Sequence, residues 1–231
     1  MAFNMPRRNV DVVGELLREM SRIVRRYHPD VRRTGFSVDE LIAGTAFFPG
    51  GTGIWRGEEP RGNLPEFFPE CPVMFVAHNF DSVVAHDRAK AAGGEYRSSF
   101  FWKVFREYLE SSAIKPEDCF FTNALMGLQP KSSMGSMPTV PGFEDECRKF
   151  LQRQFEIVKP RAVVALGRKA RDRVHAAGSL VPWIDVLHPS AWEFRPQQTR
   201  KRRIDEQAAK IAQWLRAATG NPASRNAAGW V

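Results

Sequence analysis

Cysteine is scarce in this chain of 231 residues, and long apolar runs are missing from it. The three cysteines, Cys71, Cys119 and Cys147, are widely spaced and odd in number, which favours reduced thiols over a disulfide framework or a CxxC metal site. No stretch reaches the roughly 18 apolar residues of a membrane span, and the basic N-terminus lacks the apolar segment of a signal peptide. We therefore expect a soluble, cytoplasmic protein.

Patterns typical of nucleotide and metal sites are also missing. Residues 167–170, Gly-Arg-Lys-Ala, follow an apolar run but match neither GxxxxGK[ST] nor GxGxxG, so we interpret Gly167 as a close turn from strand to helix. His28, His86 and His175 have no partner at the spacing of metal ligands. The sequence thus predicts no metal and no cofactor.

Positive charge is present in excess. The formal net charge is +8 and the sequence pI is about 9.7. An excess of this size favours association with a polyanion such as nucleic acid, because the field of the whole protein attracts phosphate groups. A solvated basic surface without such a partner is the alternative.

Short apolar runs alternate with helical patterns along the chain, which is typical of a parallel sheet covered by helices. The runs that predict strands cover residues 73–77, 119–125, 162–166 and 183–187. Apolar residues at helical spacing predict helices over residues 10–27, 143–158 and 204–217. Between residues 47 and 72, the density of glycine and proline predicts a long loop without regular elements.

Polar side chains follow three of the predicted strands. Asn79 and Asp81 come after the first strand, Thr122 and Asn123 end the second, and residues 188–190, His-Pro-Ser, follow the fourth. The carboxyl ends of parallel strands meet at one edge of a sheet, which is where such sheets bind ligands. An asparagine amide offers donors and an acceptor in one plane and matches the O4/N3 edge of a uracil-like base. Local turn stabilisation by Asn and Asp is the alternative.

The order of these motifs resembles the uracil-DNA glycosylase superfamily. The resemblance covers Pro72 to Trp192 and consists of strand-xHNFD, strand-TNAL, FExECxxFLxxQxxxxxPxxVVALG and strand-HPSxW. It implies one three-layer α/β/α sandwich with a central four-stranded, mostly parallel sheet. We expect a single domain over residues 1–231: a helix and loop over 1–72, a core over 73–192, and a basic segment with the last helix over 193–231.

The resemblance also implies roles for individual residues. Asn79 falls where the family positions the attacking water, with His78 before it beside the base, and Asp81 is the alternative carboxylate for that water. Asn123 falls where the flipped base is read. His188 falls where a histidine stabilises negative charge on the departing base.

Further roles concern stacking and the DNA backbone. Tyr96 is the expected stacking partner of the base, in preference to Phe100 or Phe101. Ser190 falls at a phosphate-contacting position. Trp192 falls where a side chain fills the gap left by the flipped nucleotide, and a buried anchor is its alternative.

A basic run follows the tryptophan at once. Its residues are Arg195, Arg200, Lys201, Arg202 and Arg203. Such a run suits contacts with phosphates, although a solvated helix start would have the same composition.

The chain departs from the family pattern in three ways. Ala77 replaces the usual glycine of the first motif, and Phe80-Asp81 replaces its usual continuation. The four-cysteine iron–sulfur set of some branches is missing.

These observations favour a monomeric DNA glycosylase that removes uracil from single- or double-stranded DNA. Other deaminated bases are an open extension of its substrate range. Two alternatives stay open. The first is a module that binds uracil or damaged DNA without catalysis, which the altered first motif suggests. The second is a hydrolase of free nucleosides or nucleotides, for which the basic charge would be incidental.

Overall fold

A parallel sheet forms the centre of the protein. The computed structural model describes residues 6–24, 47–48, 66–79, 82–95, 99–127 and 142–220. Within them the sheet has five strands in the order β1-β3-β2-β4-β5, and all neighbouring strands run parallel. The strands are β1 (Phe47–Phe48), β2 (Val73–Asn79), β3 (Cys119–Leu125), β4 (Ala162–Leu166) and β5 (Trp183–Val186).

The strand count corrects the sequence prediction, which had four strands and no regular element over residues 47–72. The additional strand, β1, pairs with β3 through Phe47 opposite Phe121 and Phe48 opposite Thr122. Both β1 phenylalanines are buried. Two residues are enough to extend a sheet at its edge. The prediction missed them because the segment is dominated by the glycines and prolines that follow, and an element of two residues has no pattern of its own.

Helices cover both faces of the sheet. They are α1 (Asn9–Val24), α2 (Val83–Ala92), α3 (Phe100–Ser111), α4 (Phe143–Val158), α5 (Arg168–Ala176) and α6 (Gln197–Gly220). Short 3-10 helices cover Pro116–Asp118 and Trp192–Phe194. The bounds of α4 confirm the prediction, whereas α6 begins earlier than the predicted Ile204. Its first two turns are basic and lack the apolar stripe on which the prediction relied.

Two apolar clusters lie on opposite faces of the sheet, because successive side chains of a strand point to opposite sides. Met74 and Val76 of β2 face the layer of α1, α4 and α5. Val73, Phe75 and Ala77 face the layer of α3 and α6. The architecture is therefore the expected three-layer α/β/α sandwich. Among the helices of the described residues, none is both long and apolar enough to cross a bilayer.

Candidate functional site

The polar strand ends meet at one edge of the sheet, as parallel pairing requires. Ala77 of β2 lies opposite Asn123 of β3, and Leu166 of β4 lies opposite Val186 of β5. β2 itself ends in His78 and Asn79, the segment after β5 carries His188, and the charge of His78 acts on His188. The sheet thus places His78, Asn79, Asn123 and His188 at one edge.

His188 is fixed by contacts on several sides. Its Nδ1 accepts a hydrogen bond from the backbone N–H of Ser190 at 3.1 Å. Its ring lies 5.4 Å from that of Phe101 of α3, measured between ring centroids, at an interplanar angle of 46°. Gly167 lies next to His188 and has φ +86°. A Cβ added to Gly167 would lie 2.8 Å from the Cβ of His188. The backbone turn after β4 therefore needs glycine so that His188 can approach.

These contacts determine the protonation state of His188. Burial, with a smaller contribution from the charge of His78, lowers its pKa from 6.5 to about 4. The imidazole is thus neutral at neutral pH. Because Nδ1 accepts the Ser190 N–H, the ring proton lies on Nε2. A neutral imidazole of this kind can donate a hydrogen bond to an oxygen on which negative charge develops.

His78 and Asn79 form a hydrogen-bonded pair at the end of β2. The distance from His78 Nδ1 to Asn79 Oδ1 is 2.9 Å. An amide oxygen only accepts, so the imidazole Nδ1–H donates in this pair. Burial lowers the pKa of His78, and the charges of Lys169 and Arg173 on α5 lower it further. A neutral His78 therefore carries a lone pair on Nε2.

Asn123 is buried, with 2% of its surface exposed. Its side-chain N–H donates to the carbonyl oxygen of Phe48 at 3.1 Å. The edge strand β1 thus fixes the plane of the Asn123 amide and occupies one of its two N–H groups. No sequence signal pointed to this partner, because it lies 75 residues away in a segment read as loop.

The loop after β5 is ordered by its own backbone hydrogen bonds. The N–H of Ala191 donates to the carbonyl of His188 at 2.7 Å, and the N–H of Arg195 donates to that of Trp192 at 2.8 Å. Phe194 is fully buried, whereas Trp192 is 74% exposed. The buried anchor of this loop is therefore Phe194, and the side chain of Trp192 projects from the surface.

The basic residues after Trp192 differ in their surroundings. The guanidinium groups of Arg195 and Arg200 lie 4.5 Å and 5.1 Å from the centre of the Phe100 ring. Arg200 also donates from Nε to the carbonyl of Phe194 at 2.7 Å. Lys201 pairs with Asp205 at 2.9 Å and Arg202 with Glu206 at 3.7 Å, while Arg203 is half-buried. The first two arginines thus form a joint positive patch near Trp192.

Two of the predicted site residues, Asp81 and Tyr96, lie outside the described residues. Among the alternatives to Tyr96, Phe101 lies beside His188, and Phe100 instead contacts the two arginines. The sequence did not distinguish these neighbours, because both belong to the first turn of α3.

The cysteines do not fit the iron–sulfur cluster of some family branches. Burial raises the pKa of Cys147 to about 12 and that of Cys119 well above its ordinary range, which disfavours the thiolates that ligate metals. Cys71 is exposed, and all three thiols are free, as expected. In the part of the chain that the structure describes, no group of three or more His, Cys, Asp or Glu could hold a metal ion.

Comparisons with known proteins agree with this geometry. The model of a family described as the uracil DNA glycosylase superfamily matches residues 65–216, which is more than half of the chain. A type-4 uracil-DNA glycosylase of Archaeoglobus fulgidus is 29% identical over 116 residues. The match covers 41% of this chain and 56% of that relative, so the chain spans little more than half the relative's length.

Proposed function

Because the chain belongs to the uracil DNA glycosylase superfamily, we propose that it hydrolyses the N-glycosidic bond of uracil in DNA and leaves an abasic site. The observation that carries this proposal is the neutral His188, whose Nε2–H is available at the edge of the sheet. The similarity to a protein named uracil-DNA glycosylase supports the same substrate.

The reaction needs stabilisation of the departing base more than it needs a strong base. As the bond from the sugar to the base breaks, negative charge develops on the base and positive charge on the sugar. His188 donates its Nε2–H to the base oxygen that gains charge. A prearranged donor of this kind contributes about a hundred- to a thousandfold in rate, because it need not reorganise during the reaction.

Water attack and base recognition fall to the other strand ends. Asn79 holds the water that attacks the sugar, and its bond with His78 orients its amide. Asp81 is the second candidate for this role. Asn123 reads the base edge with its amide, the plane of which is fixed by Phe48. Phe101 offers an aromatic face next to His188 for a bound base, and Tyr96 is the alternative.

DNA is engaged by the loop after β5. A base inside a duplex is out of reach of these residues, so the nucleotide must leave the stack at a cost of roughly a few kcal/mol. The exposed Trp192 fills the gap, since stacking of a base on an aromatic ring contributes about 1–3 kcal/mol. Ser190 and the patch of Arg195 and Arg200 bind the neighbouring phosphates. Lys201, Arg202 and Arg203 extend this surface along α6.

The proposal is tested by base release from oligonucleotides that carry one uracil, single- and double-stranded, scored by alkaline strand cleavage. We expect cleavage that depends on uracil and falls by about a hundredfold in Asn79→Ala, because the water loses its anchor. An oligonucleotide with thymine in place of uracil is the control substrate, and Asp81→Ala separates the two candidates for the water. Protein that binds the uracil oligonucleotide and leaves it intact would contradict the proposal.

A further inference from the structure

The backbone of Leu187, the residue just before His188, is held on both sides by side chains of the α3 and α6 layer. Tyr108 of α3 donates its hydroxyl hydrogen to the carbonyl oxygen of Leu187 at 3.0 Å. The N–H of Leu187 donates to Oε1 of Gln207 of α6, also at 3.0 Å. The donor and the acceptor of Leu187 are thus each bound by a different helix.

This position is where support from the sheet ends. Val186 is the last residue of β5, and its carbonyl oxygen accepts the N–H of Gly167 at 2.8 Å. Leu187 follows without a strand partner among the described residues. Its two backbone groups would face a partly buried environment, in which unpaired polar groups cost free energy. Tyr108 and Gln207 take over the hydrogen bonds that the strand no longer supplies.

Tyr108 also contacts the far end of the same loop. It is fully buried, and its ring packs edge-on against that of Phe194 with centroids 5.8 Å apart. The loop from Leu187 to Phe194 is therefore attached to Tyr108 at both ends. His188 lies between the two attachment points.

We propose that Tyr108 and Gln207 are positioning residues, which fix the backbone of Leu187 on both sides of its Cα so that the imidazole of His188 is held at the edge of the sheet. The inference rests on the proposed function for its effect on catalysis. Neither side chain contacts the reacting atoms. Their effect passes through the backbone, since a rotation of the backbone at Leu187 moves the Cα of His188 and hence its Nε2. Small displacements of this kind are costly in rate, because donors must match the charge that develops.

The variants that test this inference remove one hydrogen bond each. Gln207→Met keeps the length of the side chain and removes its acceptor, Gln207→Glu keeps an acceptor oxygen, and Tyr108→Phe removes the donor. Lys210→Met is the matched control, because Lys210 of α6 donates to the carbonyl of Asp185 on β5 at 2.7 Å, before the loop begins. Single-turnover base release, the Kd for the oligonucleotide and thermal unfolding are measured for each protein.

We expect Gln207→Met and Tyr108→Phe to lower the single-turnover rate constant by about ten- to a hundredfold, with a Kd within about twofold of the wild type. Gln207→Glu recovers most of the rate and Lys210→Met keeps it. Equal losses in Gln207→Met and Gln207→Glu, or a wild-type rate in Gln207→Met, would overturn the inference. So would a loss in Lys210→Met as large as in Gln207→Met.

A second measurement does not depend on activity. Titration of His188 by nitrogen NMR reports its pKa and the ring nitrogen that carries the proton. In Gln207→Met we expect the pKa of His188 to rise toward its ordinary value, because a loosened loop lets water reach the ring; His78, the titratable group whose charge acts on His188, is unchanged. An unaltered titration of His188 in Gln207→Met contradicts the inference. A wild type that releases no uracil would by itself overturn only the proposed function, so the two failures are distinguishable.

Discussion

Two histidines lie at the same edge of the sheet, and their surroundings give them opposite hydrogen-bonding roles. His188 accepts at Nδ1 from a backbone N–H and so presents Nε2–H as a donor. His78 donates from Nδ1 to the Asn79 oxygen and so presents Nε2 as an acceptor. The comparison teaches that the partner of one ring nitrogen determines what the other can do.

The two rings also differ in their electrostatic environment. His188 lies against Phe101 of the aromatic α3 layer, and burial is the main cause of its lowered pKa. The charges of Lys169 and Arg173 on α5 lower the pKa of His78, and the charge of Glu144 on α4 partly offsets them. Burial is thus the main cause of the lowered pKa of both rings, the charges on α5 lower the pKa of His78 further, and both rings are neutral at neutral pH.

The largest difference is expected when each histidine is removed. His188→Ala should lower the rate of uracil release by about a hundred- to a thousandfold, because the donor to the departing base is lost. His78→Ala should cost less, since His78 acts on the reaction through Asn79. The measurement is single-turnover base release at saturating protein. Equal losses in the two variants would show that the opposite roles do not matter for the reaction.

A smaller effect is expected from moving His188 without changing it. Gly167→Ala places a Cβ 2.8 Å from the Cβ of His188, so the loop must shift. We expect about a ten- to hundredfold loss of rate and a destabilisation of about 1–3 kcal/mol from the left-handed backbone.

Gly178→Ala is the control for this prediction, because Gly178 also has a positive φ, +63°, but an added Cβ meets nothing within 4 Å. It should show a smaller destabilisation, from the positive φ alone, measured by denaturant unfolding, with an unchanged rate of base release. A rate loss in Gly178→Ala equal to that in Gly167→Ala would assign the effect to backbone strain.

The smallest effect concerns the coupling between the two rings. His78→Gln should raise the pKa of His188, because the charge of His78 contributes to lowering it. The pKa of His188 in the folded protein, about 4, lies below its ordinary value of 6.5. The unfolded chain therefore binds more protons between these values, and the free energy of unfolding falls as the pH falls from 6.5 toward 4.

In His78→Gln this loss of stability should be smaller, because one lowered pKa is removed and the other is raised. Urea unfolding at pH 7 and pH 4.5, with His175→Gln as a control on the exposed surface of α5, measures the difference. The same pH dependence in His78→Gln and the wild type would show that the two rings titrate independently.

Much of the fold could be predicted because buried strands and amphipathic helices have local signatures. The run 119–125 and the stripe of α4 gave the observed bounds of β3 and α4. The strand β1 could not be predicted, since two phenylalanines form a strand only when the edge of β3 is available to them. The position of the candidate site followed the same division, because the apolar runs placed His78, Asn79, Asn123 and His188 at the carboxyl ends of parallel strands, while their roles stay predictions.

The sequence by itself determined the parallel sheet, the edge at which its polar residues gather and the family to which the motifs point. These depend on short-range patterns that a single chain displays. Only the tertiary structure decided that Trp192 is exposed and Phe194 buried, and that Phe101 lies beside His188. It also decided the hydrogen bonds of Phe48, Tyr108 and Gln207 to the strand ends. Such contacts join residues far apart in the chain, and their geometry follows from packing rather than from any local pattern.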